Sequence, residues 1–177
     1  MQPGLMPAPA SGGVPFGEDA KGMDLARNLK IESVSRLQPP PPLTLSPQHT
    51  IRQAVAAMQA QRVGCVLVCD GPQLVGIFTE RDLLKRVVAA GKPLSFSLKE
   101  CMTPHPVTVQ LKESVGTALR RMQEGGYRHL PVVDEAGRPV GMLSVKRLMR
   151  YVVEHFPSTV YNLPPDPDVI QQEREGA

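Results

Sequence analysis

Val75-Gly76-Ile77-Phe78-Thr79-Glu80-Arg81-Asp82-Leu83-Leu84 passes from an apolar, β-prone run through one hydroxyl residue into a helical pattern. Such a stretch is a strand running straight into a helix. The junction is chemically useful, because the first turn of a helix has unpaired N–H groups and the positive end of its dipole. Asp82, one turn in, is placed to accept both hydroxyls of a cis-diol. Spacing alone also fits a plain N-terminal cap by Thr79 with Asp82, and the two roles are compatible.

The same stretch occurs again as Val140-Gly141-Met142-Leu143-Ser144-Val145-Lys146-Arg147-Leu148-Met149. At an offset of 64, Ser33 falls on Ser97, Pro40 on Pro104, Thr44 on Thr108, Met58 on Met122 and Val68 on Val132. One extra residue around Glu135-Ala136-Gly137 moves the offset to 65, and Gly76 then meets Gly141. An internal repeat of this length outranks local propensity in deciding the fold.

Each repeat reads as strand, helix, strand, strand, helix. In the first, Leu43-Thr44-Leu45 is a short strand, and Thr50 with Gln53 makes a capping box for a helix lined by Ile51, Ala54, Val55 and Met58. Cys65 to Cys69 and Leu74 to Phe78 are strands around the turn Asp70-Gly71-Pro72, and Leu83, Leu84, Val87 and Val88 line a second helix that Gly91 stops. In the second, Val107-Thr108-Val109 opens the repeat and Val115, Ala118, Leu119 and Met122 line its first helix. Leu130 to Val133 and Val140 to Leu143 are strands, and Leu148, Met149, Val152 and Val153 close it. One unit of about 55 residues buries too little surface to stand comfortably alone. The expected fold is therefore α/β, with two βαββα repeats packed sheet to sheet about a pseudo-twofold axis. The expected division is a tail at 1–32, repeats at 33–96 and 97–156, and a second tail at 157–177. A short helix is expected from Met23 to Leu29, and Pro39-Pro40-Pro41-Pro42 reads as a rigid extended lead-in rather than a ligand for a partner.

Composition narrows function. A net charge of +3 without a Lys/Arg cluster argues against a nucleic-acid partner. Cys65, Cys69 and Cys101 show no zinc spacing, and Cys65 and Cys69, inside an apolar strand, read as small buried hydrophobes. No leader and no run of about 18 apolar residues stands out, so the expectation is a cytoplasmic chain without a membrane partner. No nucleophile with a base, Walker loop or metal cluster appears, so no enzyme is expected.

The phrases Glu100-Cys101-Met102-Thr103-Pro104, Pro106-Val107-Thr108-Val109, Tyr127-Arg128-His129-Leu130-Pro131-Val132-Val133-Asp134 and Gly76-Ile77-Phe78-Thr79-Glu80-Arg81-Asp82, set within the repeat, closely resemble the tandem CBS-domain pair, named for cystathionine β-synthase. The resemblance implies a regulatory ligand of the adenosine class: AMP, ADP, ATP or S-adenosylmethionine. It places the phosphate near Thr79 and the ribose diol on Asp82. The adenine would lie among Ile77, Met102, Val107, Tyr127 and Arg128, with Arg128 and His129 reaching phosphate. From the residues alone, Arg128 and His129 read rather as ordinary polar residues at a strand edge. At the second junction the ribose position is Arg147, which cannot accept a diol's hydrogen bonds, and its partners would be Leu43, Val63 and Gly64. Ser144, Lys146 and Arg147 are instead candidates for an anion, or for the polyphosphate end of a ligand next door.

The resemblance thus implies a non-enzymatic energy-sensing module that binds an adenine nucleotide between its repeats. It would act in trans on a target protein, or as a homodimer. The rival reading is a structural interaction module with an empty cleft.

Overall fold

The computed structural model describes residue 25 and residues 27–156. Most of the expected N-terminal tail and all of the C-terminal one lie outside the described residues. The strands and helices are β1 (Thr44–Leu45), α1 (Ile51–Gln61), β2 (Cys65–Asp70), β3 (Gln73–Thr79), α2, β4 (Thr103–Pro104), β5 (Val109–Gln110), α3 (Val115–Gly125), β6 (His129–Val133), β7 (Pro139–Ser144) and α4 (Val145–His155). Helix α2 begins as Glu80–Asp82 and continues in π-helical turns over Leu83–Val88.

The repeat is real in three dimensions. Helix α1 is opened by the Thr50–Gln53 capping box and α3 by Ser114. Both end on a left-handed residue, Arg62 at φ 53° and Gly126 at φ 62°. Glycine adopts that conformation without strain, whereas arginine takes it at a cost. In each repeat a parallel strand pair is followed by an antiparallel one, β1-β2-β3 and β5-β6-β7, and β4 extends the first sheet. A bulge interrupts the ladder at Val68/Cys69 and again at Val132/Val133, positions matched by the offset.

The lead-in segments exchange cores. Ser33 pairs with Ser114, Val34 N–H donates to Glu113 and Val115 N–H donates to Glu32. Val34 and Leu37 are thereby buried among Val109, Val115, Leu130, Val132 and Leu143 of the second repeat. Symmetrically, Ser97 pairs with Thr50, and Leu98 and Cys101 are buried with Ile51, Ala54, Val66 and Phe78 of the first. The 96/97 boundary therefore divides the chain in sequence while each lead-in serves the other repeat's core. Residues 27–31 are helical, and Leu29 packs on the second core.

The second sheet meets the first where Met142 of β7 packs against Cys65, Leu67 and Ile77. The prolines act as the expected rigid lead-in: Pro39 lies against Gly141, where a Cβ would meet it, and the Pro40 carbonyl accepts from Met142 N–H. Apolar side chains on three helices stand outside the core. Leu84 and Val88 are 62% and 63% exposed, because the π-helical turns point only Leu83 and Val87 inward. Leu119 and Met149 likewise lie outside the core. Among the described residues no helix is long and apolar enough to cross a membrane.

Leu37→Ala tests the exchange. It should destabilise the chain by about 2–5 kcal/mol, as Leu98→Ala should, in urea unfolding followed by circular dichroism. A cost within about 0.5 kcal/mol, the range of ordinary surface changes, would contradict the packing.

Candidate functional site

The Thr79 junction is a complete cap. Thr79 Oγ1 accepts from Asp82 N–H at 3.2 Å, and Asp82 Oδ2 accepts from Thr79 N–H at 3.0 Å and from its hydroxyl at 2.7 Å. Asp82 is the buried charged residue of the described core, 8% exposed. Its Oδ1 accepts from the Thr103 hydroxyl at 3.1 Å and lies 3.3 Å from Arg86 Nε. Arg86 also donates to the Met102 carbonyl at 2.6 Å. Thr103 reaches Asp82 because β4, which leads into the second repeat, pairs on β3 with Ile77 opposite Thr103.

Beside this junction opens a cavity of about 820 Å³, within the size range of small-molecule sites. Of the residues singled out in the sequence, Ile77, Thr79, Asp82, Val107, Tyr127, Arg128 and His129 line it, and so do Ser144 and Lys146 from the second junction. Met102 and Arg147 do not. Met102 turns its thioether into the space over Gly76 and packs on the first core. In an extended segment neighbours face opposite sides, so Thr103 takes the cleft position that Met102 was expected to hold. The sequence reading also missed Glu80, Arg81, Lys85, Arg86 and His105. Lys85 and Arg86 had a signal: they lie three and four residues beyond Asp82, one helical turn along.

Tyr127 owes its place to two glycines. Gly126 ends α3 in the left-handed region, and a Cβ at Gly125 would collide with the Tyr127 ring. The ring is 40% exposed beside the cavity.

The second junction keeps its cap, with Arg147 N–H donating to Ser144 Oγ at 3.3 Å, but its arginine is engaged elsewhere. Arg147 Nη1 donates to the Leu37 carbonyl at 2.9 Å, across to the lead-in of the first repeat. The position matched to Asp82 is thus a strut between chain segments. Of the partners expected there, Gly64 lines the first cavity, and Val63 lines a smaller hollow of about 540 Å³ with Val55, Met58 and Leu83.

Burial, then the Glu80 carboxylate, push the Cys65 thiol up to about 12, and a protonated thiol is a poor nucleophile. Among the described residues no group of three or more His, Cys, Asp or Glu is placed to hold a metal. Burial, reinforced by Arg128 and partly opposed by Glu80, holds the His129 imidazole below its usual range. The folded state therefore binds fewer protons there than the unfolded chain. This stability is fully present above the unfolded value of about 6.5 and is lost as pH falls from there through the lower folded value. The melting temperature should fall on acidification across that window, and His129→Gln should flatten the dependence. An unchanged slope in the variant would place the titration elsewhere.

The profile of the CBS domain matches residues 34–89 and again residues 98–154. The chain is 41% identical over 108 residues to the meiotically up-regulated gene 70 protein of Schizosaccharomyces pombe, covering 60% of this chain and 15% of that protein. It spans less than a quarter of the length of the yeast and Arabidopsis thaliana relatives it matches. Among solved structures it resembles a CBS domain protein from Pyrobaculum aerophilum complexed with AMP, with a TM-score of 0.64 and 28% identity over 71% of this chain and 98% of that one. It also resembles the CBS domain pair of protein MJ0100 in complex with 5′-methylthioadenosine and S-adenosyl-L-methionine, with a TM-score of 0.65 and 25% identity over 70% of this chain and 98% of that one. With two matched copies, two matched sheets and the repeated strand-to-helix junction, the chain belongs to the CBS domain family and carries the domain as a tandem pair.

Proposed function

We propose that the chain is a non-enzymatic regulatory module that binds one adenosine-containing ligand in the cleft beside Asp82. The observation that carries this reading is the pairing across one cavity of a carboxylate from the first repeat with an aromatic ring from the second. Asp82 suits a ribose diol, and Tyr127 offers a face for a base. The adenosine compounds named in the two solved relatives support the same ligand class. The ribose hydroxyls would take over the oxygens that Thr103 and Arg86 now engage, so binding would loosen one tie between α2 and the lead-in of the second repeat. That exchange is a route from ligand to shape.

Signalling would proceed through pairing with a second copy or with a target protein. Leu84, Val88, Leu119 and Met149 expose apolar surface on α2, α3 and α4, which suits a homodimer and is tested by sedimentation equilibrium. A cytoplasmic module following the adenine nucleotide pool accords with this reading. A second reading, a structural module with an empty cleft, draws on the same carboxylate: Asp82 already has partners for both oxygens within the fold.

Thermal shift and calorimetry against AMP, ATP and S-adenosylmethionine separate the two, since a ligand of the folded state raises stability by RT ln(1 + [L]/Kd). The proposal expects near one site per chain, because Arg147 blocks the matched position. Tyr127→Ala should weaken binding by about 1–3 kcal/mol, the worth of a stacked base. Gly125→Ala should weaken binding too, by displacing the ring, although alanine is the better helix former. Two equal sites, or unchanged binding in both variants, would move the ligand out of this cleft. Asp82→Ala is less clean, because it removes a helix cap worth about 0.5–2 kcal/mol along with the diol acceptor.

A further inference from the structure

The cavity is electrostatically lopsided. Arg81, Lys85, Arg86, Arg128 and Lys146 line it against the carboxylates of Glu80 and Asp82. Two of the five cations are committed within the fold: Arg86 to Asp82 and the Met102 carbonyl, Arg81 to the Gly126 carbonyl at 3.3 Å. Among the described residues, the side chains of Lys85, Arg128 and Lys146 make no ion pair or hydrogen bond. They come from three elements and both repeats: α2, the turn before β6, and the first turn of α4.

The placement of Lys146 runs against local preference. The first turn of α2 carries Glu80 and Asp82, as the positive end of a helix dipole favours, whereas the first turn of α4 carries no acid and holds Lys146 and Arg147. Cations gathered around one concave surface repel one another, and the walls focus their field into the opening. An anion reaching all three removes that repulsion and gains charge-assisted hydrogen bonds.

We propose that the cleft selects a nucleoside carrying two or more phosphates, whose tail runs among Lys85, Arg128 and Lys146. This rests on the adenosine reading above and narrows it. A single phosphate, with about two negative charges, cannot answer three uncommitted cations on separate elements; a longer chain can. S-adenosylmethionine is disfavoured on the same ground, because its sulfonium and ammonium outnumber its one carboxylate.

Calorimetry on the full chain tests this with adenosine, AMP, ATP, S-adenosylmethionine and inorganic tripolyphosphate, at low and high salt. ATP should bind at least about tenfold tighter than AMP. The ratio should shrink as salt screens the exposed cations, and tripolyphosphate should compete with ATP. The double substitution Lys85→Gln with Lys146→Gln should bring the ATP-to-AMP ratio toward one, with circular dichroism checking that the fold is kept. Equal affinity for AMP and ATP, a ratio unmoved by the double substitution, or tighter binding of S-adenosylmethionine would overturn the phosphate assignment and leave the adenosine reading standing. Binding of tripolyphosphate without any adenosine compound would uphold the anion site and overturn the adenosine reading. Binding of none of the five would overturn both.

Discussion

Neither repeat closes its own core. Val34 and Leu37 complete the second repeat, and Leu98 and Cys101 complete the first, so folding either half requires a segment that precedes the other. Burial of such side chains is worth roughly 1.5–3 kcal/mol each, and the exchange makes the two repeats one cooperative body. The cleft depends on it directly. Thr103 stands over Asp82 only because the lead-in of the second repeat is held on the first repeat's sheet.

Against this near-symmetric frame a few substitutions decide where chemistry is available. Asp82 and Arg147 occupy matched places with opposite charges. One presents acceptors beside a cavity, and the other spends its donors on the Leu37 carbonyl. Gly126 and Arg62 are matched at the ends of α3 and α1, and the glycine pair at the former makes room for Tyr127. The π-helical turns of α2 place Lys85 and Arg86 toward the cleft while leaving Leu84 and Val88 outside. π-Turns of this kind concentrate at functional sites.

Much of the fold was legible because the offset, the caps and the strand patterns agree with one another. The crossing of the lead-ins was not. An offset aligns Ser33 with Ser97 but carries no information about which core receives either one. Met102 and Thr103 were confused for a related reason: an extended segment alternates faces, and a one-residue error in parity exchanges core for cleft. The apolar positions that mark α2 as a helix carry no information about where its cations point. That Arg147 cannot accept a diol follows from its chemistry, whereas its bond to Leu37 spans 110 positions of sequence and has no local signature. Helical spacing shows more apolar positions than one small core can hold, but which of them stand outside, such as Leu84 and Val88, is settled by the wider turns of α2.

The central claim is that one cleft, framed by Asp82 and Tyr127, is where this pair meets its ligand. Backbone hydrogen exchange with and without ATP tests it most directly, because local opening is reported residue by residue. The account predicts added protection at residues 79–86, 103–107 and 126–129, with residues 37–43 little changed. Protection centred on residues 37–43, or no change at 79–86 in the presence of bound nucleotide, would contradict it.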